Sequence, residues 1–121
     1  MLKLEADSVR NLLKMTFSGQ LRARELAERA ADVETALVGL RAGFRFLGDL
    51  SDLEVMEPEC LAHIRRTMDL LNQRGVAMVV RIIPDPHKDI GLNILSLFHY
   101  RRGIPIVTCA SQAEAEAALK Q

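Results

Sequence analysis

From Val76 to Ile83 the side chains are almost without interruption apolar, and the run stops at Pro84-Asp85-Pro86. A segment this short with no polar face to turn to water belongs at the centre of a parallel sheet, covered on both sides. The covering layers need helices, and the chain carries their pattern. Leu26, Ala30, Val33, Leu37 and Leu40 recur every three or four residues, which predicts a helix from about residue 20 to about residue 39, with Arg22, Arg24, Glu25, Glu28 and Arg29 between them. Glu57 and Pro58 open a second helix, because proline is tolerated in a first turn and carboxylates there meet the positive end of the macrodipole. Leu61, Ile64, Met68 and Leu71 then face inward, and Gly75 ends that helix. Ile90, Ile94, Leu97 and Phe98 mark a third helix, Ile104 to Cys109 a final strand, and Ser111 with Glu114 the capping box of a last helix.

Alternation of apolar and polar residues supplies the other strands. Leu2, Leu4 and Ala6, then Leu13, Met15 and Phe17, predict an N-terminal β-hairpin that turns at Asp7-Ser8 and closes at Ser18-Gly19. Phe44 to Leu50 alternates again and runs into the polar turn Ser51-Asp52, followed by a short acidic connection. The order β, β, α, β, α, β, α, β, α predicts an α/β fold in which right-handed crossovers build a largely parallel sheet beyond the hairpin. At 121 residues, 49% of them hydrophobic, residues 1–121 are expected to form one domain. Four Phe, one Tyr and no Trp leave the core to Leu, Ile, Val, Met and Ala, and exclude an aromatic stacking platform for single-stranded nucleic acid.

Sixteen basic and sixteen acidic side chains cancel, so no net field draws the molecule onto nucleic acid or an anionic membrane. No apolar run approaches the roughly 18 residues of a membrane span, and Met-Leu-Lys-Leu-Glu is not the start of a signal peptide. Neither nucleic-acid binding nor membrane insertion is expected, and the expected location is the cytoplasm. Cys60 and Cys109 sit in apolar contexts and read as buried thiols of a reducing compartment. Cys60 also lies near a helix start, where a thiolate is favoured, so a nucleophile is a rival to core packing. The scattered glycines form no phosphate loop. His63, His87 and His99 are too dispersed for a zinc motif, and Asp85, His87 and Asp89 read as a solvated loop, so neither metal nor cofactor is expected. Asp49, Asp52, Glu54, Glu57 and Glu59 form an acidic run beside the carboxyl end of a strand, the place where open α/β sheets put ligands and partners. Arg65 and Arg66 follow on the exposed face of the next helix. These features fit either a partner-binding surface or ordinary solvation.

Met15-Thr-Phe-Ser-Gly-Gln-Leu21, the stretch Phe46-Leu-Gly-Asp-Leu-Ser-Asp-Leu-Glu-Val-Met-Glu-Pro-Glu-Cys-Leu61, the helix ending Gln73-Arg-Gly75 and the run from Val76 to Pro84 together resemble the STAS domain. That family includes the sporulation anti-sigma-factor antagonists, SpoIIAA-like proteins that regulate transcription. The likeness runs over nearly the whole chain and implies a four- to five-stranded mixed sheet acting without catalysis in partner switching. It implies a protein partner, either an anti-sigma kinase or a scaffold protein, and leaves a homodimer open. The family's phosphorylated hydroxyl sits at the start of the helix after the third strand, in a pattern of aspartate, two hydroxyl residues and glycine. Glu57, Pro58, Glu59 and Cys60 stand at the matching positions, with Pro58 and Glu59 in place of the hydroxyls, so the resemblance implies a member without the usual phosphoswitch. Glu59 carries one permanent negative charge where a phosphate would carry about −1.5 to −2. The partner-binding residues implied are Asp52, Glu54, Glu57, Pro58, Glu59, Arg65 and Arg66. A scaffold role, as in stressosome-like assemblies, or that of a small subunit beside a transporter, fits such a member equally. Two rivals from other classes are a small-ligand sensor with a pocket lined by Met56, Met68, Met78 and Phe98, and an enzyme using Cys60 or the acidic run.

Overall fold

The computed structural model describes residues 1–83 and 103–120. Five strands, β1 (Leu2–Asp7), β2 (Leu12–Leu21), β3 (Arg45–Met56), β4 (Met78–Ile82) and β5 (Ile106–Cys109), form one sheet in the order β1-β2-β3-β4-β5. β1 pairs antiparallel to β2, and β2 through β5 run parallel. The helices in the described residues are α1 (Ala23–Val38), α2 (Cys60–Gln73) and α3 (Gln112–Leu119). The α/β class, the hairpin and the mixed sheet are those the sequence predicts. The expected helix around Ile90 to Phe98 and the Asp85, His87 and Asp89 group lie outside the described residues.

Strand pleating divides the core in two. Leu13, Met15, Phe17, Phe46, Leu50 and Val79 point to one face, where α1 contributes Leu26, Val33 and Leu37 and α2 contributes Cys60, Ile64, Met68 and Leu71. Leu12, Leu47, Val80 and Ile82 point to the other, beneath Ala115, Ala118 and Leu119 of α3. Val79 and Val80 thus serve opposite layers, which is why the run around them is apolar throughout. Contrary to the aliphatic core expected, Phe17, Phe44 and Phe46 are all buried.

Beyond shifts of up to three residues at the ends of α1, β4 and β5, three boundaries differ from the sequence reading, and one cause joins two of them. β2 does not close at Ser18-Gly19 but continues to Leu21, so β3 finds a partner beyond Ser51-Asp52 and runs on to Met56. The pairing Ser18↔Asp52, Gly19↔Leu53 and Gln20↔Val55 carries two register shifts, and Gly19 at φ +62° takes the left-handed backbone between them. Leu53, wholly buried, holds this extension down. The third boundary is the start of α2, which falls at Cys60, because Pro58 and Glu59 form the turn before it. At the far end, Gly75 at φ +87° turns the chain out of α2 and accepts a hydrogen bond from Gly43 N at 2.7 Å.

Candidate functional site at the start of α2

The junction between β3 and α2 is built from both ends of the β2 extension. Glu57 N donates to Leu21 O at 3.0 Å, so the chain leaves β3 pinned to the end of β2. The Glu57 side chain then reaches across to α1, where its Oε1 accepts from Ala23 N at 2.9 Å. α1 needs this, because its N-cap residue Arg22 offers no side-chain acceptor. Glu57, expected to complement the dipole of its own helix, therefore caps a different one. Pairing along the sequence could not reveal it, since donor and acceptor lie 34 residues apart.

Cys60 closes the junction from beneath. It is fully buried, and its thiol donates to Leu21 O at 3.5 Å. Burial, and then the neighbouring charge of Glu57, push this thiol above its ordinary value. A nucleophile requires the opposite shift, so the burial expected of Cys60 is what the structure shows and the rival nucleophile reading gains no support. Cys109 is buried as well, and burial raises its thiol too.

Asp49, counted in the sequence with the acidic run, belongs elsewhere. It is buried in β3, and its Oδ1 accepts from Ser51 N at 3.0 Å and Ser51 Oγ at 2.6 Å. Asp52 and Glu54 do not lie in a loop. They project from the β3 extension on either side of Leu53, both exposed. Pro58 and Glu59 are exposed at the turn, and Glu59 occupies the N-cap of α2 with its side chain bonded to no backbone amide. The first amides of the helix are instead served by carbonyls, Cys60 N donating to Glu57 O and Leu61 N to Pro58 O.

Arg65 and Arg66 are exposed on α2. At 3.6 residues per turn, Arg66 stands two turns along nearly the same stripe as Glu59, whereas Arg65 faces about 100° away. The structure thus leaves Asp52 and Glu54 exposed on the end of β3 and Pro58 and Glu59 exposed on the turn that follows it, sets Arg66 along α2 from Glu59, and takes Glu57 out as a structural cap.

Of the four residues expected to line a ligand pocket, the three described do not line one together. Met68 borders an apolar void of about 20 Å³ between α2 and the sheet, but Met78 packs in the opposite layer, Met56 is not part of the void's lining, and Phe98 lies outside the described residues. A void of that size is about one water molecule and holds no metabolite.

No protein-family model matches the sequence, and no curated protein matches it. Solved structures do match. A DUF3478-family protein with a SpoIIAA-like fold from Shewanella loihica aligns with a TM-score of 0.70 at 13% identity, over 98% of this chain and 92% of that one. The anti-sigma factor antagonist SpoIIAA of Bacillus, in its unphosphorylated form, aligns with a TM-score of 0.66 at 16% identity, over 99% and 98%. An anti-sigma-factor antagonist (STAS) domain protein from Planctomyces limnophilus gives 0.62 at 15%, over 98% and 96%. The alignments run over nearly the full length of both chains in each case: the chain has the SpoIIAA-like fold of STAS domains.

Proposed function

We propose that this chain is a non-catalytic protein-interaction module of the partner-switching kind, and that its partner-facing surface is formed by Asp52, Glu54, Pro58 and Glu59, continued along α2 by Arg66, with Arg65 on the adjoining face of the helix. The observation that carries the reading is the division of labour at the junction. Glu57 and Cys60 are committed to holding α1, β2 and α2 together, while the side chains of Pro58 and Glu59 between them are exposed and make no hydrogen bond or ion pair among the described residues. Exposed charge without a structural task, on a rigid frame at the carboxyl end of a parallel strand, suits recognition. The fold supports it, because a protein of this fold is an anti-sigma factor antagonist solved in unphosphorylated and phosphorylated forms.

The usual phosphoswitch has no acceptor here. Pro58 and Glu59 lack a hydroxyl, and Glu59 supplies a fixed charge at the N-terminus of α2, where the macrodipole favours an anion. The module therefore stays in one charge state, as a constitutive binder or scaffold of its protein partner in the cytoplasm. A photo-crosslinking residue introduced at position 59, with one at Val9 on the far hairpin turn as control, tests the surface in living cells. One protein partner captured from 59 and not from Val9 supports the reading, and equal capture at both or none at 59 overturns it. Incubation with an anti-sigma-type serine kinase and ATP, followed by intact-mass measurement, should add no phosphate at residues 57 to 60.

A further inference from the structure

A groove of about 460 Å³ runs between α1 and α2. Its floor is Leu26, Ala27, Ala30 and Val33 of α1 with Thr67 and Leu70 of α2. Alanine at 27 and 30 keeps the α1 wall low, which lets another backbone approach closely. The edges are ionic. Glu34 rises from α1, and Arg66 and Asp69 rise from α2, all three exposed and none in a side-chain ion pair or hydrogen bond among the described residues. Elsewhere on α1 the charges are taken up locally, Arg24 with Glu28 at 2.9 Å and Arg29 with Asp32 at 2.7 Å. The groove is the part of this layer where charges of both signs are left over around an apolar floor.

We infer that this groove is a self-association surface, in which a second copy of the chain packs its own α1–α2 face about a two-fold axis. The charges select that occupant. An isologous contact sets each group against a different group of the same surface, so a self-complementary patch must carry both signs. Here one acid, Glu34, stands on α1, and the one base, Arg66, stands on α2 beside a second acid, Asp69. A two-fold packing that crosses α1 of one copy over α2 of the other sets Glu34 against Arg66 twice. A strongly acidic partner would face Glu34 and Asp69 with like charge, and a strongly basic one would face Arg66 with like charge. The chain's sixteen basic and sixteen acidic residues also leave two copies without net repulsion.

The extent of the face sets the strength. Helices of 16 and 14 residues are about 24 and 21 Å long, and side by side at 8–10 Å they offer roughly 500 Å² per copy. That is near 1,000 Å² in total, at the low end for a specific interface, so the dimer is weak and dependent on concentration. This inference shares Arg66 with the partner-facing surface proposed above, while Glu59 lies outside the groove lining and Glu34 and Ala30 lie outside the partner-facing set, so the two surfaces are tested separately.

Sedimentation equilibrium of the full chain from about 5 to 500 µM tests it. The weight-average mass should climb from 13.5 kDa toward twice that value as concentration rises. Glu34→Arg and Arg66→Glu should each weaken the dimer at least tenfold, since each variant faces itself with like charges. An equimolar mixture of the two variants should dimerise again, because both opposed pairs are re-formed with their signs exchanged. Ala30→Arg should block association, Val9→Arg and Glu59→Ser should leave it unchanged, and equal melting temperatures show that the variants remain folded. A chain that stays monomeric throughout, a dimer indifferent to Ala30→Arg, or a mixture that fails to recover overturns the inference. A Glu59→Ser variant that loses partner capture while dimerising normally separates the two surfaces.

Discussion

Two helices of this chain begin in opposite ways. α3 starts on Ser111, whose extended backbone turns its Oγ to accept from Glu114 N at 3.2 Å while Glu114 Oε2 accepts from Ala110 N at 2.9 Å. α2 starts on Glu59, already helical at φ −65° and ψ −17°, with no side-chain cap. The difference follows from what else holds each helix. α3 is eight residues long and buries two alanines and one leucine, so the cap is a large share of its anchoring. α2 buries Cys60, Ile64, Met68 and Leu71 over 14 residues and can do without one. A helix fixed by its core leaves its first residues free of structural duty, and such residues can be spent on a partner.

If that contrast is right, the largest effects lie under α2 and the smallest at its tip. Native labelling of Cys60 by a thiol reagent should be slower than in denaturant by a factor on the order of 10³ or more, since it must wait for opening events that cost several kcal/mol. The pH dependence has a fixed sign. The folded thiol binds its proton more tightly than the ordinary thiol at 9.0, so its contribution to stability is intact below about pH 9 and is lost as pH rises toward the raised folded value. Denaturation midpoints from pH 7 to 11 should fall more steeply for the wild type than for Cys60→Ala. Rapid native labelling that titrates near neutrality would break the comparison at once.

Next in size is Ile64→Ala. Ile64 sits between α2 and the sheet at 6% exposure, beside the small void also lined by Met68 and Phe46, so truncation enlarges a cavity and should cost about 2–5 kcal/mol in urea unfolding. A cost below about 1 kcal/mol would mean that α2 is not held by its core. Smaller again are the caps. Ser111→Ala at α3 and Glu57→Ala at the start of α1 each remove an acceptor from helix-start amides and should cost about 0.5–2 kcal/mol by the same measurement. If Glu57→Ala costs nothing, Glu57 returns to the partner-facing set.

The ease of reading these features from sequence tracks the distance over which they act. The capping box at Ser111 and Glu114, the helical spacing of Leu26, Val33 and Leu37, and the two-sided run around Val79 and Val80 depend on neighbours a few residues away, and all stand as expected. The end of β3 does not, because Ser51-Asp52 has the composition of a turn. It stays extended only because β2 continues past Gly19 beside it, and because Asp49 satisfies Ser51 locally. The role of Glu57 was hidden for the same reason, its amide partner being on another helix. Glu59 was legible as a position, and its exposure agrees with that. Whether its charge is put to use depends on a molecule that no pattern within the chain describes.

That leaves Glu59→Ser, the smallest expected effect on folding. An acidic side chain at an exposed helix start contributes about 0.3–1 kcal/mol through the macrodipole, and serine returns part of this by capping in place of it. The two terms oppose, so the urea midpoint should move by the equivalent of less than about 0.5 kcal/mol in either direction. Binding to the captured partner should respond more strongly. A charge at an interface rim is felt by the partner and not by the core, so titration calorimetry should show a clear loss of affinity with an unchanged melting temperature. Because serine restores a hydroxyl next to Pro58, the same variant can be offered to an anti-sigma-type kinase, and phosphorylation there should recover the affinity that the lost carboxylate supplied. Affinity that stays the same through substitution and phosphorylation alike would show that the start of α2 faces solvent, and the exposed surface there would then be no more specialised than the capped start of α3.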